Sequence, residues 1–256
     1  MSPTRREFVT TSAVMFATSA KRGSHDAGRM TPSVGPWLAA PQPDIVTSGA
    51  VLLFQGDSIT DWSRDRSIAE ANDVRALGTG YPFLLAGELR ARHPERDLQV
   101  FNRGVSGNTV EDLRARWAHD TIDLKPAVLS ILIGVNDKWH TLMGTYTGTA
   151  EKYETGYRTL IETTRAALPA TRLVIMEPFV LRAGAVSDAW FPDFDKYRAA
   201  ARRVAESAKA TFVPLHDMLQ DLARKASPAY WAADGVHPTV AGHAAIARQW
   251  LDRVRI

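Results

Sequence analysis

The chain has 256 residues, 45% of them apolar and 23% charged, enough for one domain with a single sizeable core and unlike the composition of a disordered or membrane-spanning protein. Its net charge of +3 does not argue for a polyanionic partner, because residues 1–30 hold five basic residues against two acidic ones and the remainder is balanced; this removes the main argument for nucleic-acid binding. With no cysteine, a disulfide framework, a thiolate nucleophile and a thiolate metal site are all excluded.

In chain order, Thr4-Arg5-Arg6-Glu7-Phe8-Val9 leads into an uncharged, moderately apolar run that extends to Ala20 and ends in small residues. Residues 1–20 resemble a twin-arginine export signal, which predicts a bacterial protein exported to the periplasm or beyond; the alternative is a basic tail. Residues 21–44, with Gly23, Gly28, Pro32, Gly35, Pro36, Pro41 and Pro43, read as a linker, and residues 45–256 as one domain.

From Ala50 onward short runs rich in Val, Ile, Leu or Phe alternate with helical stretches. Strands are predicted at 50–55, 97–102, 127–133, 171–177 and 211–215. Helices are predicted at 81–92 with Pro82 in the first turn, 109–117, 150–168, 191–209, 216–225 and 239–253. Five strands with helices between them imply an α/β fold, a parallel sheet covered on both faces through right-handed crossovers. Ligands of such sheets bind beyond the carboxyl ends of the strands. Ser58, Gly104 and Asn136 each follow a different predicted strand at that end.

Ser58 lies in Phe54-Gln55-Gly56-Asp57-Ser58-Ile59-Thr60, where the first strand hands over to a turn. A serine hydroxyl needs a base, a group that orients the base, and donors for an oxyanion. Asp234-Gly235-Val236-His237-Pro238 offers an imidazole with a carboxylate three residues before it, which predicts His237 as base and Asp234 as its orienting partner. The candidate oxyanion donors are the backbone amides of Ser58 and Gly104 and the side-chain amide of Asn136. Taken singly, each is also an ordinary turn residue. Asp137 is expected to bond loop backbone, and Asp61, Arg64 and Arg103 to have surface or structural roles. The Gly-x-Ser-x-Gly elbow is absent because Thr60 replaces its second glycine. The histidines are too scattered for a helical metal site, and Gly78-Thr79-Gly80 lacks the strand and third glycine of a dinucleotide fingerprint.

Four ordered blocks together, Gly56-Asp57-Ser58-Ile59-Thr60, Asn102-Arg103-Gly104-Val105-Ser106-Gly107, Gly134-Val135-Asn136-Asp137 and Asp234-Gly235-Val236-His237-Pro238, resemble the SGNH or GDSL hydrolases. The resemblance covers Ala50 to the C-terminus and departs from many relatives only at Ile59. It implies a flavodoxin-like three-layer α/β/α sandwich with a five-stranded parallel sheet, and ester hydrolysis without metal or other cofactor. Ala76-Leu77-Gly78-Thr79-Gly80-Tyr81, Leu113-Arg114-Ala115-Arg116-Trp117 and His237-Pro238-Thr239-Val240-Ala241-Gly242-His243 are further similar to bacterial acetylxylan esterases of that family. This implies an acetylated carbohydrate as substrate; the alternatives are a general carboxylesterase, a lipolytic or lysophospholipase-type enzyme, or a catalytically silent carbohydrate-binding protein. Trp62, Trp139 and Trp231, beside the blocks, together with Asp57, are the candidates for substrate contact, with packing as the other role open to each tryptophan. Homo-oligomers are left open.

Overall fold

The computed structural model describes residues 46–256; the leader at 1–20 and the linker at 21–44 lie outside the described residues. The apolar runs form five strands, β1 (Val51–Gly56), β2 (Gln99–Asn102), β3 (Val128–Leu132), β4 (Arg172–Met176) and β5 (Thr211–Val213). All pair in parallel, in the order β2-β1-β3-β4-β5. This is the flavodoxin-like order, in which the direction of strand addition reverses between β1 and β3. There Gly56 is in register with Leu132.

Alternation along each strand sends successive side chains to opposite faces. Leu52, Phe54, Val128, Leu132, Val174 and Met176 enter one core, while Leu53, Leu129, Ile131, Leu173 and Ile175 enter the other. Among the described residues ten α-helices occur, in chain order α1 (Ser58–Asp61), α2 (Val74–Leu77), α3 (Tyr81–Arg92), α4 (Val110–Trp117), α5 (Val135–Leu142), α6 (Ala150–Ala167), α7 (Asp193–Ser207), α8 (His216–Ala223), α9 (Pro228–Trp231) and α10 (Val240–Arg253). Tyr81, Leu85 and Leu89 of α3, Leu219 of α8, and Ile246 and Trp250 of α10 close the first core. Leu113 and Trp117 of α4, Tyr157 and Leu160 of α6, and Ala201 and Val204 of α7 close the second. Each large apolar side chain so buried contributes about 1.5–3 kcal/mol, which is why both faces must be covered. The one hydroxyl facing inward from β3, Ser130, is satisfied by the Trp250 indole N–H at 2.9 Å.

The strands fall within one or two residues of their predicted ends, and α3 has its predicted bounds. Four short helices were not predicted: α1, α2, α5 and α9. The most consequential is α5, since it carries Asn136 and Trp139. It buries Val135, Asn136, Asp137 and Lys138 in succession, so it has no apolar stripe of helical period to read. No helix among the described residues is long and apolar enough to cross a membrane.

Candidate active site

β1 delivers the chain to Asp57, whose Oδ1 accepts the amide of Ile59 at 3.0 Å and thereby caps α1. Ser58 is the first residue of that helix. Its own amide is one of the orphan donors of a helix start and has no acceptor among the described residues. Asp57, a candidate for substrate contact, is instead a buried structural residue at 1% exposure. Burial raises its pKa to about 7, against the opposing pull of the Ile59 amide and the neighbouring His237.

His237 comes from the other end of the domain. Leu181 donates its amide to the Gly235 carbonyl at 2.7 Å and Ala185 to that of Asp234 at 2.9 Å, so the chain after β4 braces the Asp-Gly turn. Gly235 has φ +85°, and a Cβ there would lie 2.3 Å from the Leu181 carbonyl, which leaves room only for glycine. Asp234 Oδ1 accepts the amides of Val236 at 2.9 Å and His237 at 2.7 Å. Its Oδ2 lies 2.6 Å from His237 Nδ1, and His237 Nε2 lies 2.8 Å from Ser58 Oγ. A carboxylate at Nδ1 holds the ring proton there and leaves Nε2 free to accept from the serine. Burial alone would raise the Asp234 pKa, but the hydrogen bonds from His237 and its backbone keep it below the usual carboxylate value.

At the end of β2, Gly104 approaches the Ser58 turn so closely that a Cβ would sit 2.4 Å from the Asp61 nitrogen. Its single amide proton is accepted by Asn102 Oδ1 at 2.9 Å, so any donation to an oxyanion would share that proton. Asn102 in turn donates to the carbonyls of Thr60 at 2.7 Å and Leu77 at 2.9 Å, tying the loop to α1 and α2. Beyond β3, Asn136 in the first turn of α5 is 5% exposed and gives one Nδ2 proton to the Asn108 carbonyl at 3.0 Å. An amide nitrogen carries two protons, so the second is available. Asp137 accepts the Val110 amide at 3.2 Å with both oxygens and is fully buried. Desolvation there raises its pKa to about 7.

Asp61 and Arg64, assigned only surface or structural roles from the sequence, brace the same loop. Asp61 Oδ2 accepts the Ser106 amide at 2.9 Å and its hydroxyl at 2.7 Å, and Arg64 Nε donates to the Gly104 carbonyl at 2.7 Å. Burial lowers the Arg64 pKa to about 10 while Asp61 pulls it up, so the guanidinium stays charged. Arg103 lies further out and donates to the Ala69 carbonyl at 2.9 Å.

Two of the three candidate tryptophans flank His237. The Trp62 and Trp139 rings lie 6.0 and 5.9 Å from that of His237, and both are half-buried. Trp62 takes φ +27°, uncommon for a bulky residue, and is held by the Thr79 amide on its carbonyl and by His243 at 4.6 Å. Trp231 differs: its indole donates to the Leu222 carbonyl at 3.0 Å and its ring partner is Tyr230, which places it in the packing between α8 and α9. Two supporting residues were missed. Trp190 is buried behind Trp139 at 5.7 Å, and no local pattern ties the two positions. His243, 1% exposed, accepts the Tyr81 amide at 3.1 Å, and burial lowers its pKa to about 4, so it acts as a neutral wall behind Trp62.

The sheet order, the position of the site at its switch point and the relatives described next together define a serine esterase, a carboxylic ester hydrolase. Residues 54–245 match the model of the GDSL-like lipase/acylhydrolase family, and the chain belongs to that family. It is 38% identical over 213 residues to an acetylxylan esterase of Geobacillus stearothermophilus, covering 82% of this chain and 95% of that protein. A putative GDSL-like lipase from Parabacteroides merdae superposes with a TM-score of 0.80 at 43% identity, over 82% of this chain and 98% of that one. The crystal structure of an acetylxylan esterase from Geobacillus stearothermophilus gives a TM-score of 0.72 at 37% identity, over 81% and 95%.

Proposed function

We propose that the protein removes acetyl groups from xylan or xylo-oligosaccharides, with Ser58, His237 and Asp234 as its catalytic triad. Ser58 Oγ attacks the acyl carbon while His237 Nε2 takes its proton; the same proton then passes to the departing sugar hydroxyl, and water repeats the sequence on the acyl-enzyme. Asp234 holds the tautomer and stabilises the imidazolium. The Ser58 and Gly104 amides and Asn136 Nδ2 face the charge that develops on the carbonyl oxygen. The observation that carries this reading is the unbroken hydrogen-bonded line from Ser58 to His237 to Asp234, at 2.8 and 2.6 Å. The acetylated sugar is supported by the relatives and by Trp62 and Trp139 on either side of the base, where flat rings can meet a sugar face.

Aryl esters of increasing acyl length test the substrate. A site built for acetyl loses activity steeply with each methylene, whereas a lipolytic site gains, since a buried methylene contributes up to about 0.8 kcal/mol. Trp139→Ala should lower turnover of acetylated xylo-oligosaccharide well beyond that of an aryl acetate, which needs no sugar subsite. A rising acyl profile with equal losses on both substrates would instead favour the lipolytic reading.

Export through the leader at 1–20 is part of the same proposal. Replacing Arg5 and Arg6 by lysine should retain the protein in the cytoplasm of a bacterial host, measured by fractionation; unchanged export would remove the twin-arginine reading.

A further inference from the structure

We propose that Arg116 is the positioning residue of this site: one guanidinium, resting on α4, sets the nucleophile turn and both oxyanion segments at fixed separation. The inference rests on the reading of Ser58 as nucleophile. Its basis is where the donors go. Arg116 Nη2 donates to the Gly56 carbonyl at 3.3 Å, two residues before Ser58. Nη1 donates to the Arg103 carbonyl at 2.8 Å. Nε donates to Asn108 Oδ1 at 2.8 Å, and the backbone carbonyl of the same Asn108 accepts Asn136 Nδ2 at 3.0 Å.

The Arg103 contact matters most. The carbonyl of Arg103 and the amide of Gly104 belong to one planar peptide unit, so fixing the oxygen fixes the direction of the Gly104 N–H on its far side. A cation on that oxygen also polarises the unit and makes its N–H the better donor. Asn136 is reached through a single intervening residue. The guanidinium is itself anchored from behind: Nη1 also donates to Gln55 Oε1 at 3.0 Å and Asp120 Oδ2 at 2.8 Å, its two protons being shared among three acceptors. Gln55 Nε2 closes the frame on the Asp120 carbonyl at 2.9 Å and Thr121 Oγ1 at 2.8 Å. Burial lowers the Arg116 pKa while Asp120 opposes the shift, so the charge is kept. Only arginine can do this. Its donors are spread over a rigid plane, whereas the three protons of a lysine leave from one atom and cannot reach carbonyls on separate segments.

Arg116→Lys and Arg116→Gln in the full chain test the proposal, with kcat and KM on 4-nitrophenyl acetate expressed per active site titrated with a fluorophosphonate. The expected result is a kcat lower by about 10²-fold with KM within about threefold, and a matching loss of affinity for a boronic acid that mimics the tetrahedral state. Arg114→Gln, on the same helix but exposed and paired outward with Glu111 at 2.8 Å, should stay within about threefold of wild type. Should the Arg116 variants not fold, Asn108→Ala cuts one strut alone and should lower kcat about tenfold at unchanged KM. A kcat per titrated site within threefold in Arg116→Lys, or an equal loss in Arg114→Gln, overturns the positioning role. Wild-type esterase activity that survives Ser58→Ala overturns the reading beneath it, and the two failures are thereby told apart.

Discussion

Ser58→Ala should fold and melt as the wild type does and lose turnover by about 10⁴-fold or more. The fold should hold because α1 is capped by Asp57 through the Ile59 amide, and the one side-chain bond lost is that to His237 Nε2, on a half-buried ring that water can reach. The activity should not hold because no other hydroxyl stands on His237 Nε2 among the described residues, and a base without its nucleophile offers little. What survives is the contribution of binding and oxyanion donors alone. The measurement is kcat on an aryl acetate with circular dichroism of the same sample. Activity within tenfold of wild type, in a folded variant, would mean that another residue attacks the ester.

Asp234→Asn should be almost as damaging, about 10⁴-fold in kcat, although it changes one atom. Oδ1 is pinned by two backbone amides, from Val236 at 2.9 Å and His237 at 2.7 Å. In the variant the carbonyl oxygen must keep that place, which puts the new NH₂ group where Oδ2 faces His237 Nδ1. A donor there forces the ring proton onto Nε2, toward Ser58, and the imidazole can no longer accept. Because both backbone bonds persist, the loop should keep its shape and the melting temperature should stay close to wild type. A variant with turnover near that of wild type would show that Asp234 orients nothing of consequence.

Much of this was readable in advance, for a physical reason that varies along the chain. The sheet was legible because its three inner strands, β1, β3 and β4, are buried on both faces and so form nearly continuous apolar runs. The serine, glycine and asparagine blocks were legible because each sits where a strand stops, and the histidine block because Asp234 stands three residues before His237. The intervening geometry was not. Asp57 was grouped with substrate contacts because it adjoins Ser58, yet its short side chain turns back to cap the helix that Ser58 starts. Trp231 was grouped with them for adjacency to the His237 block, but α9, a helix of a single turn, directs its indole to Leu222. Arg116 lies 58 positions from Ser58, at the end of a helix whose apolar stripe is Val110, Leu113 and Trp117. An arginine off that stripe reads as solvent-facing, and only the fold brings it under Gly56 and Arg103.

The bond between Ser58 and His237 joins positions 179 residues apart, and α10, which follows the histidine, packs on α3 near the start of the domain. Contacts of such long sequence separation form late, because the intervening loop must be closed before they give any return. At synthesis rates of about 5–20 residues per second the stretch from Ser58 to His237 takes roughly 10–40 s to emerge, during which that bond cannot exist. Under the proposed mechanism a nascent or stalled chain is therefore inert toward esters. Turnover in a crude extract then counts finished domains, and a substitution anywhere in the sheet that prevents the C-terminal helix from docking would score as a loss of activity without touching a reacting atom.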